Sequence, residues 1–270
     1  VKKGQLTPHY HYVSRPPFTE AEAVRRAIYL AGQTDTPLYI AHMTCREAIA
    51  ELQKAKGTGQ RVSGETCTHY LTTTKEVLDN PDFNEAAKFV CSPALRDRED
   101  CEALWQALSD GLLTAVSSDH CGIDVAELKQ AGRNDFTQIP NGSPGAGDRL
   151  HMVWTEGVCT GKLTRQKFVD VIATQPAKIN GIYPRKGTLA VGSDADVVIF
   201  DPNYEGTVHL ADNPNGVDYN LYEGRRQSGR VETVLLRGQV VVENAKFVGR
   251  YGQGKFIPAN MYASGYENRK

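Results

Sequence analysis

Between residue 19 and about residue 120, short apolar runs alternate with amphipathic helical stretches, and each apolar run ends in polar residues. Pro37–Ala41 (PLYIA) is a brief apolar run between turn formers, which predicts a buried strand ending near His42. Arg61–Cys67 (RVSGETC) reads as the next strand, with Glu65 and Thr66 near its end. Leu113–Ser117 reads as a third, running into Ser118-Asp119-His120-Cys121. Helices fill the gaps. Thr19–Glu22 has the spelling of a capping box before a helix over Ala23–Ala31, closed by Gly32. Thr44–Glu47 has the same spelling before a helix with Ile49 and Leu52 on one face, closed by Gly57. In Glu99–Asp110, Cys101, Leu104, Trp105 and Leu108 fall on one helical stripe. Such alternation predicts an α/β fold with parallel strands and right-handed crossovers. In such folds ligands bind beyond the carboxyl ends of the strands. His42, the Glu65-Thr66 pair and Asp119 are therefore expected on one functional edge.

The rest of the chain changes character twice. Gly122–Gly147 is a long loop rich in Gly, Asn and Pro, placed directly after the Asp119 strand, so it is a candidate lid or substrate loop. Helices are predicted over 148–160 and 164–174, with a short one after Pro176. Beyond Arg185, Ala195–Pro202 and Glu232–Val242 are β-rich, the second being two strands that turn at Arg237-Gly238. This divides the chain into an α/β part over 1–185, a small β segment over 186–257 and a tail over 258–270.

Charge excludes some functions. Thirty-one basic against 32 acidic residues leave a net charge of -1, too weak a field to argue for nucleic acid or an anionic membrane as partner. No apolar run reaches the ~18 residues of a membrane span. Cys45, Cys67, Cys91, Cys101, Cys121 and Cys159 form no CxxC pair. With no secretion signal legible, the expectation is reduced thiols and a cytoplasmic location.

An imidazole at one strand end and a carboxylate at another suit a divalent metal, zinc above manganese or iron. By spacing alone, however, a strand-end His is more often held by a structural hydrogen bond than by a metal. Asp119 has less reason to follow an apolar strand without a partner.

IAHMT, GETCTHYL, CSPALR, SSDHC, DFTQIPNG and YPRKGTLAVGSDADVVIFDP occur in this order. The set resembles the C-terminal portion of the hydantoinase/dihydropyrimidinase family, cyclic amidohydrolases of the amidohydrolase superfamily, over about residues 8–258. The resemblance implies the C-terminal part of a distorted (β/α)8 TIM-like barrel, a metal-dependent hydrolase fold, with a β-sandwich beside it. It implies two divalent metal ions, zinc foremost, held by a His-x-His pair, a carboxylated bridging lysine, two further His and one Asp. Carried onto this sequence, His42 matches the last His ligand. Asp119 matches the Asp ligand, which also handles the proton of the attacking hydroxide. Ser92 and Asn141 match positions whose backbone groups hold the cyclic imide. The implied reaction opens a dihydropyrimidine or hydantoin ring to an N-carbamoyl amino acid, with a small cyclic amide or ureide as the only partner besides a homotetramer.

The remaining ligands of the family pattern have no counterpart here, and the bridging carboxylated lysine is not present in this chain. About three βα units are legible where a closed barrel takes about eight, so the expectation is part of a longer enzyme. His9-Tyr10-His11 spells HxH but aligns with the segment before Arg15-Pro16-Pro17, and it reads as a decoy. His69 and His151 read as structural or surface residues, His120 and Cys121 as support for Asp119. Cys67 lacks a visible base to make it a nucleophile. Two other readings share the motifs: an allantoinase- or dihydroorotase-type amidohydrolase, and a non-catalytic scaffold of the same fold, like the collapsin response mediator proteins.

Overall fold

The structure, a computed structural model, describes residues 4–260; the end of the tail expected over 258–270 lies outside the described residues from 261 on. A short helix α1 (His9–Val13) leads to the long helix α2 (Pro17–Gln33). Strand β1 (Leu38–Ile40) follows, then α3 (Arg46–Gly57) and β2 (Val62–Cys67). Two short helices, α4 (Thr68–Thr72) and α5 (Phe83–Ala87), precede α6 (Arg98–Ser109) and β3 (Ala115–Ser117). The strands form a parallel sheet in the order β1-β2-β3, with Leu38 opposite Val62 and Glu65 opposite Ala115. The alternation in the sequence thus produces the parallel α/β arrangement that it predicts.

The caps differ from their spelling. α2 starts at Pro17, two residues before the supposed cap Thr19, because proline's fixed φ and missing N–H suit a first helical turn. Glu20 then has no capping role, and its carboxylate instead meets Thr44 and Arg96. Thr44 is likewise no cap: α3 begins after Cys45, whose own side chain makes no cap bond, and the Arg46 amide donates instead to Asp100 Oδ1 at 3.0 Å. Thr44 of the second spelling and Glu20, inside the first, join one buried tertiary network, while Thr19 bonds the Pro16 carbonyl and Glu22 pairs with Arg26.

The core lies between the sheet and the helices that cover it. Ala48, Leu52, Leu104, Leu108 and Leu113 are fully buried in one cluster, which also takes in Trp105, Trp154 and Phe168. Burying side chains of this size is worth roughly 1.5–3 kcal/mol each, so the apolar stripe read from α6 is what docks that helix. α7 (Arg149–Val153) and α8 (Arg165–Val169) each run into a π-helical turn, at Trp154–Val158 and Asp170–Thr174. α9 (Gln175–Ile179) then starts with Pro176 in its first turn.

The β-rich remainder is a four-stranded antiparallel sheet: β4 (Val197–Thr207), β5 (Arg226–Leu236), β6 (Gln239–Glu243) and β7 (Lys246–Phe247). β5 and β6 turn at Arg237-Gly238, whose φ angles of 49° and 78° are those of a tight hairpin turn with both central residues left-handed. Pro202 sits where the β4–β5 register shifts between Asp201 and Glu205, the place a strand tolerates a residue without an N–H. Phe200 of β4 stacks edge-on against Trp154, with ring centroids 4.8 Å apart, and joins this sheet to the main core. No helix among the described residues is long and apolar enough to cross a membrane.

Candidate functional site

Three strand ends build one edge of the parallel sheet. His42 follows β1 by two residues and Asp119 follows β3 by two residues. Both have left-handed backbones, with φ of 40° and 45°. Asp and His are among the few side chains that tolerate this region, and such strained residues cluster at functional sites. His42 is half-buried and Asp119 exposed. Glu65 and Thr66, expected at the end of β2, lie inside it: the strand continues to Cys67, and Thr68-His69 occupy the edge.

The chain leaving His42 is held from below. The Thr44 amide donates to Glu20 Oε1 at 2.8 Å, and its hydroxyl meets Glu20 Oε2. Arg96 Nε donates to Thr44 Oγ1 at 2.9 Å and Nη2 to Glu20 Oε2 at 3.1 Å. A third Arg96 nitrogen reaches the Arg15 carbonyl. The Arg96 and Glu20 side chains are only 5% and 11% exposed, so this ion pair is sheltered from water.

Ser92 and Asn141 come from distant segments and meet: Ser92 Oγ donates to Asn141 Oδ1 at 3.0 Å. Their backbones are fixed independently. The Gly142 amide donates to the Val90 carbonyl at 3.0 Å, and Ser143 Oγ to the Lys88 carbonyl at 2.7 Å. Gly142 has φ 133°, and a Cβ there would lie 2.5 Å from Cys121 Cβ, so no other residue fits. His120 Nδ1 accepts from the Gly145 amide at 3.2 Å, tying the returning loop to the Asp119 strand end.

The loop over 122–147 is also pinned from outside. The connection between β4 and β5 reaches back across it, and Asp218 accepts from the Val125 and Ala126 amides at 2.8 and 2.7 Å. Asp148 accepts from Asn213 at 2.7 Å and from Asn220 at 3.1 Å. Nothing in the β-rich composition of that region signals this crossing. Its only trace in the sequence is the polar cluster Asp212-Asn213-Pro214-Asn215.

His69 is not a surface residue. It is buried, and its Nε2 has no hydrogen-bond partner among the described residues. Burial first, then the nearby His42, lowers its pKa to about 3, so it is neutral at pH 7. Burial keeps the neighbouring thiols protonated: Cys67 is pushed well up, and Cys91 to about 11. A protonated thiol is a poor nucleophile, which matches the absence of a base beside Cys67. All six cysteines are free. His9 and His11 face different ways on α1, as i, i+2 residues of a helix must. His9 Nδ1 pairs with Asp79 at 2.7 Å, while the buried His11 Nε2 sits 2.7 Å from the Cys91 carbonyl. His151 Nε2 accepts from the Val231 amide at 3.4 Å, a structural role.

His42 and Ser92 line one cavity of about 670 Å³, together with Tyr39, Met43, Glu20 and Arg15. Asp119 is not in its lining. Its donor chemistry and that of His42 fit a borderline divalent cation. Among the described residues, though, no three His, Cys, Asp or Glu side chains converge as a ligand set. Near His42, the His69 Nε2 has no hydrogen-bond partner among the described residues.

Comparison with protein families matches residues 26–241 to the model described as "Amidohydrolase family". The D-hydantoinase of Ralstonia pickettii is 47% identical over 262 residues, covering 97% of this chain and 57% of that protein. The dihydropyrimidinase of Arabidopsis thaliana is 39% identical over 257 residues, covering 95% of this chain and 48% of that protein. Among solved structures, the dihydropyrimidinase from Brevibacillus agri superposes with a TM-score of 0.95 at 44% identity, over 97% of this chain and 57% of that one. The chain spans about half the length of the relatives that it matches.

Proposed function

Because the chain belongs to the amidohydrolase family, we propose that it carries one portion of a cyclic-amide hydrolase, opening a dihydropyrimidine or hydantoin ring to an N-carbamoyl amino acid. The observation that carries this reading is the placement of both His42 and Asp119 in left-handed positions beyond strand ends on one edge of the parallel sheet. The names of the similar proteins, D-hydantoinase and dihydropyrimidinase, point to the same ring chemistry.

In this reading the three parallel strands are part of a (β/α)8 barrel, residues 1–185 belong to it, and 186–257 contribute to a β-sandwich. Two divalent ions, zinc foremost, would supply an activated water near neutral pH. The His42 imidazole and the Asp119 carboxylate would hold them, with the other ligands, the carboxylated lysine included, lying outside this chain. Asp119, the exposed group, accepts the proton of the attacking water and returns it to the leaving ring nitrogen. Backbone groups at Ser92 and Asn141 hydrogen-bond the imide and hold the ring in one orientation. The whole protein is read as a homotetramer.

The test is ring opening by this chain completed with the portion of the R. pickettii D-hydantoinase that lies outside the match. Dihydrouracil and hydantoin are expected to be hydrolysed. Asp119→Ala should lower kcat by about 10³-fold or more, since it removes both a proton carrier and a ligand. Hydrolysis of allantoin or dihydroorotate in place of dihydrouracil would reassign the substrate. Undiminished turnover in both Asp119→Ala and His42→Ala would remove these residues from the chemistry, and no turnover of any ring would favour the scaffold.

A further inference from the structure

Among the described residues, Lys129 is the one lysine that is wholly inside the fold, with 0% exposure, and it belongs to the loop over 122–147. A buried ammonium is expensive unless each proton has an acceptor. Here each has one: Nζ donates to the Ala87 carbonyl at 2.8 Å, to Val90 at 3.2 Å and to Gly142 at 2.7 Å. No carboxylate is among these acceptors. A lysine held only by carbonyls gains no ion-pair energy, and burial lowers its pKa to about 8. The charge thus has its place in the fold only through these three carbonyls, which an apolar side chain would leave without this donor.

That geometry bears on the Ser92–Asn141 pair. Two of the acceptors lie on the segment that leads into Ser92, and the third is the residue after Asn141. The same two segments are cross-linked by the Gly142 amide on Val90, while His11 holds the Cys91 carbonyl. Lys129 therefore occupies the space between the segments and sets their separation. We propose that Lys129 is the positioning residue of the imide-holding pair, fixing Ser92 and Asn141 at the spacing that the ring requires while touching neither the ring nor the reacting atoms. The inference rests on the ring-binding reading of Ser92 and Asn141 given above.

Lys129→Met keeps the length and removes the donors; Lys129→Gln keeps a shorter donor and serves if the Met variant does not fold. Hydrogen exchange on the 270-residue chain reads the clamp directly. The Gly142 amide should exchange about tenfold faster or more in either variant, with the β2 amides unchanged. Kinetics with dihydrouracil on the completed enzyme read the consequence: KM should rise about tenfold or more while kcat stays within about threefold, because uniform binding is lost and the proton-transfer groups are untouched. A general loosening of the fold would instead speed exchange in β2 and depress kcat together with KM. Where the wild type opens the ring, an unchanged KM in the variants, or unchanged Gly142 exchange, overturns the proposal. A wild type that opens no ring fails the reading it rests on, and the exchange result then stands separately.

Discussion

Glu20→Ala is expected to lower the unfolding free energy by about 3–5 kcal/mol, the range for stranding one member of a sheltered ion pair. Arg96 would be left 5% exposed with a charge that its remaining acceptors, the Thr44 hydroxyl and the Arg15 carbonyl, do not neutralise. The Thr44 amide would lose its acceptor as well. For a chain of this size that loss is a fall in Tm of roughly 10 °C, read by thermal denaturation. Arg96→Met in the same background should recover part of the loss, because an apolar pair needs no compensation. A double variant no better than Glu20→Ala alone, or a single-variant loss below about 1 kcal/mol, would show that water reaches the pair and that its worth is that of a surface bridge. The network spans α2, the chain after His42 and the segment before α6, so its loss should also release the strand end that carries His42.

The second large effect is acid lability. His11 and His69 are buried in the neutral form, with pKa values lowered to about 4 and about 3. Desolvation is the leading cause for both; Arg15, Lys129 and Arg96 add repulsion at His11, partly offset by the Cys91 carbonyl. Unfolded, each titrates near pH 6.5. Below that pH the unfolded chain binds the protons and the folded chain does not. Their contribution is whole above pH 6.5 and is lost progressively as the pH falls from there toward the folded-state values of about 4 and about 3. Each group adds about 1.4 kcal/mol of lost stability per pH unit in that window. By pH 4 the pair removes several kcal/mol, a large share of the roughly 5–15 kcal/mol that holds a domain together. Denaturant midpoints between pH 7 and pH 4 measure the slope. His11→Gln, which can still bond the Cys91 carbonyl but does not titrate, should remove about one proton from it. An unchanged slope would mean that His11 is protonated at little cost inside the fold.

The sequence made the strands and the amphipathic helices legible because burial imposes a period on them, and α6 with its Leu104 and Leu108 stripe is the clearest case. The hairpin at Arg237-Gly238 is readable for a different reason, since Gly238 interrupts two β-rich runs, whereas nothing in Arg237 announces the left-handed backbone that it takes. His42 and Asp119 stood out as polar residues ending apolar runs. What stayed hidden was long-range. The capping-box spellings at Thr19 and Thr44 describe local possibilities, and a buried arginine 52 residues along the chain from Thr44 overrides one of them. Lys129 carries no motif, and its three carbonyl acceptors exist only once two separate segments are side by side. His69 read as unremarkable because burial cannot be seen from a polar neighbourhood such as Thr68-His69-Tyr70. The return of the β4–β5 connection over the loop was invisible because composition marks segments, while a crossing belongs to a pair of segments.

The left-handed backbone at His42 and Asp119 has a practical consequence for anyone seeking a hardier version of this chain. Each position holds a side chain where glycine would rest at ease, at a cost on the order of 1 kcal/mol. A redesign that rewards heat resistance alone would write glycine at both places and gain from each change. It would then produce a protein tougher than the natural one, in which the most profitable edits had erased the two side chains that the proposed chemistry depends on.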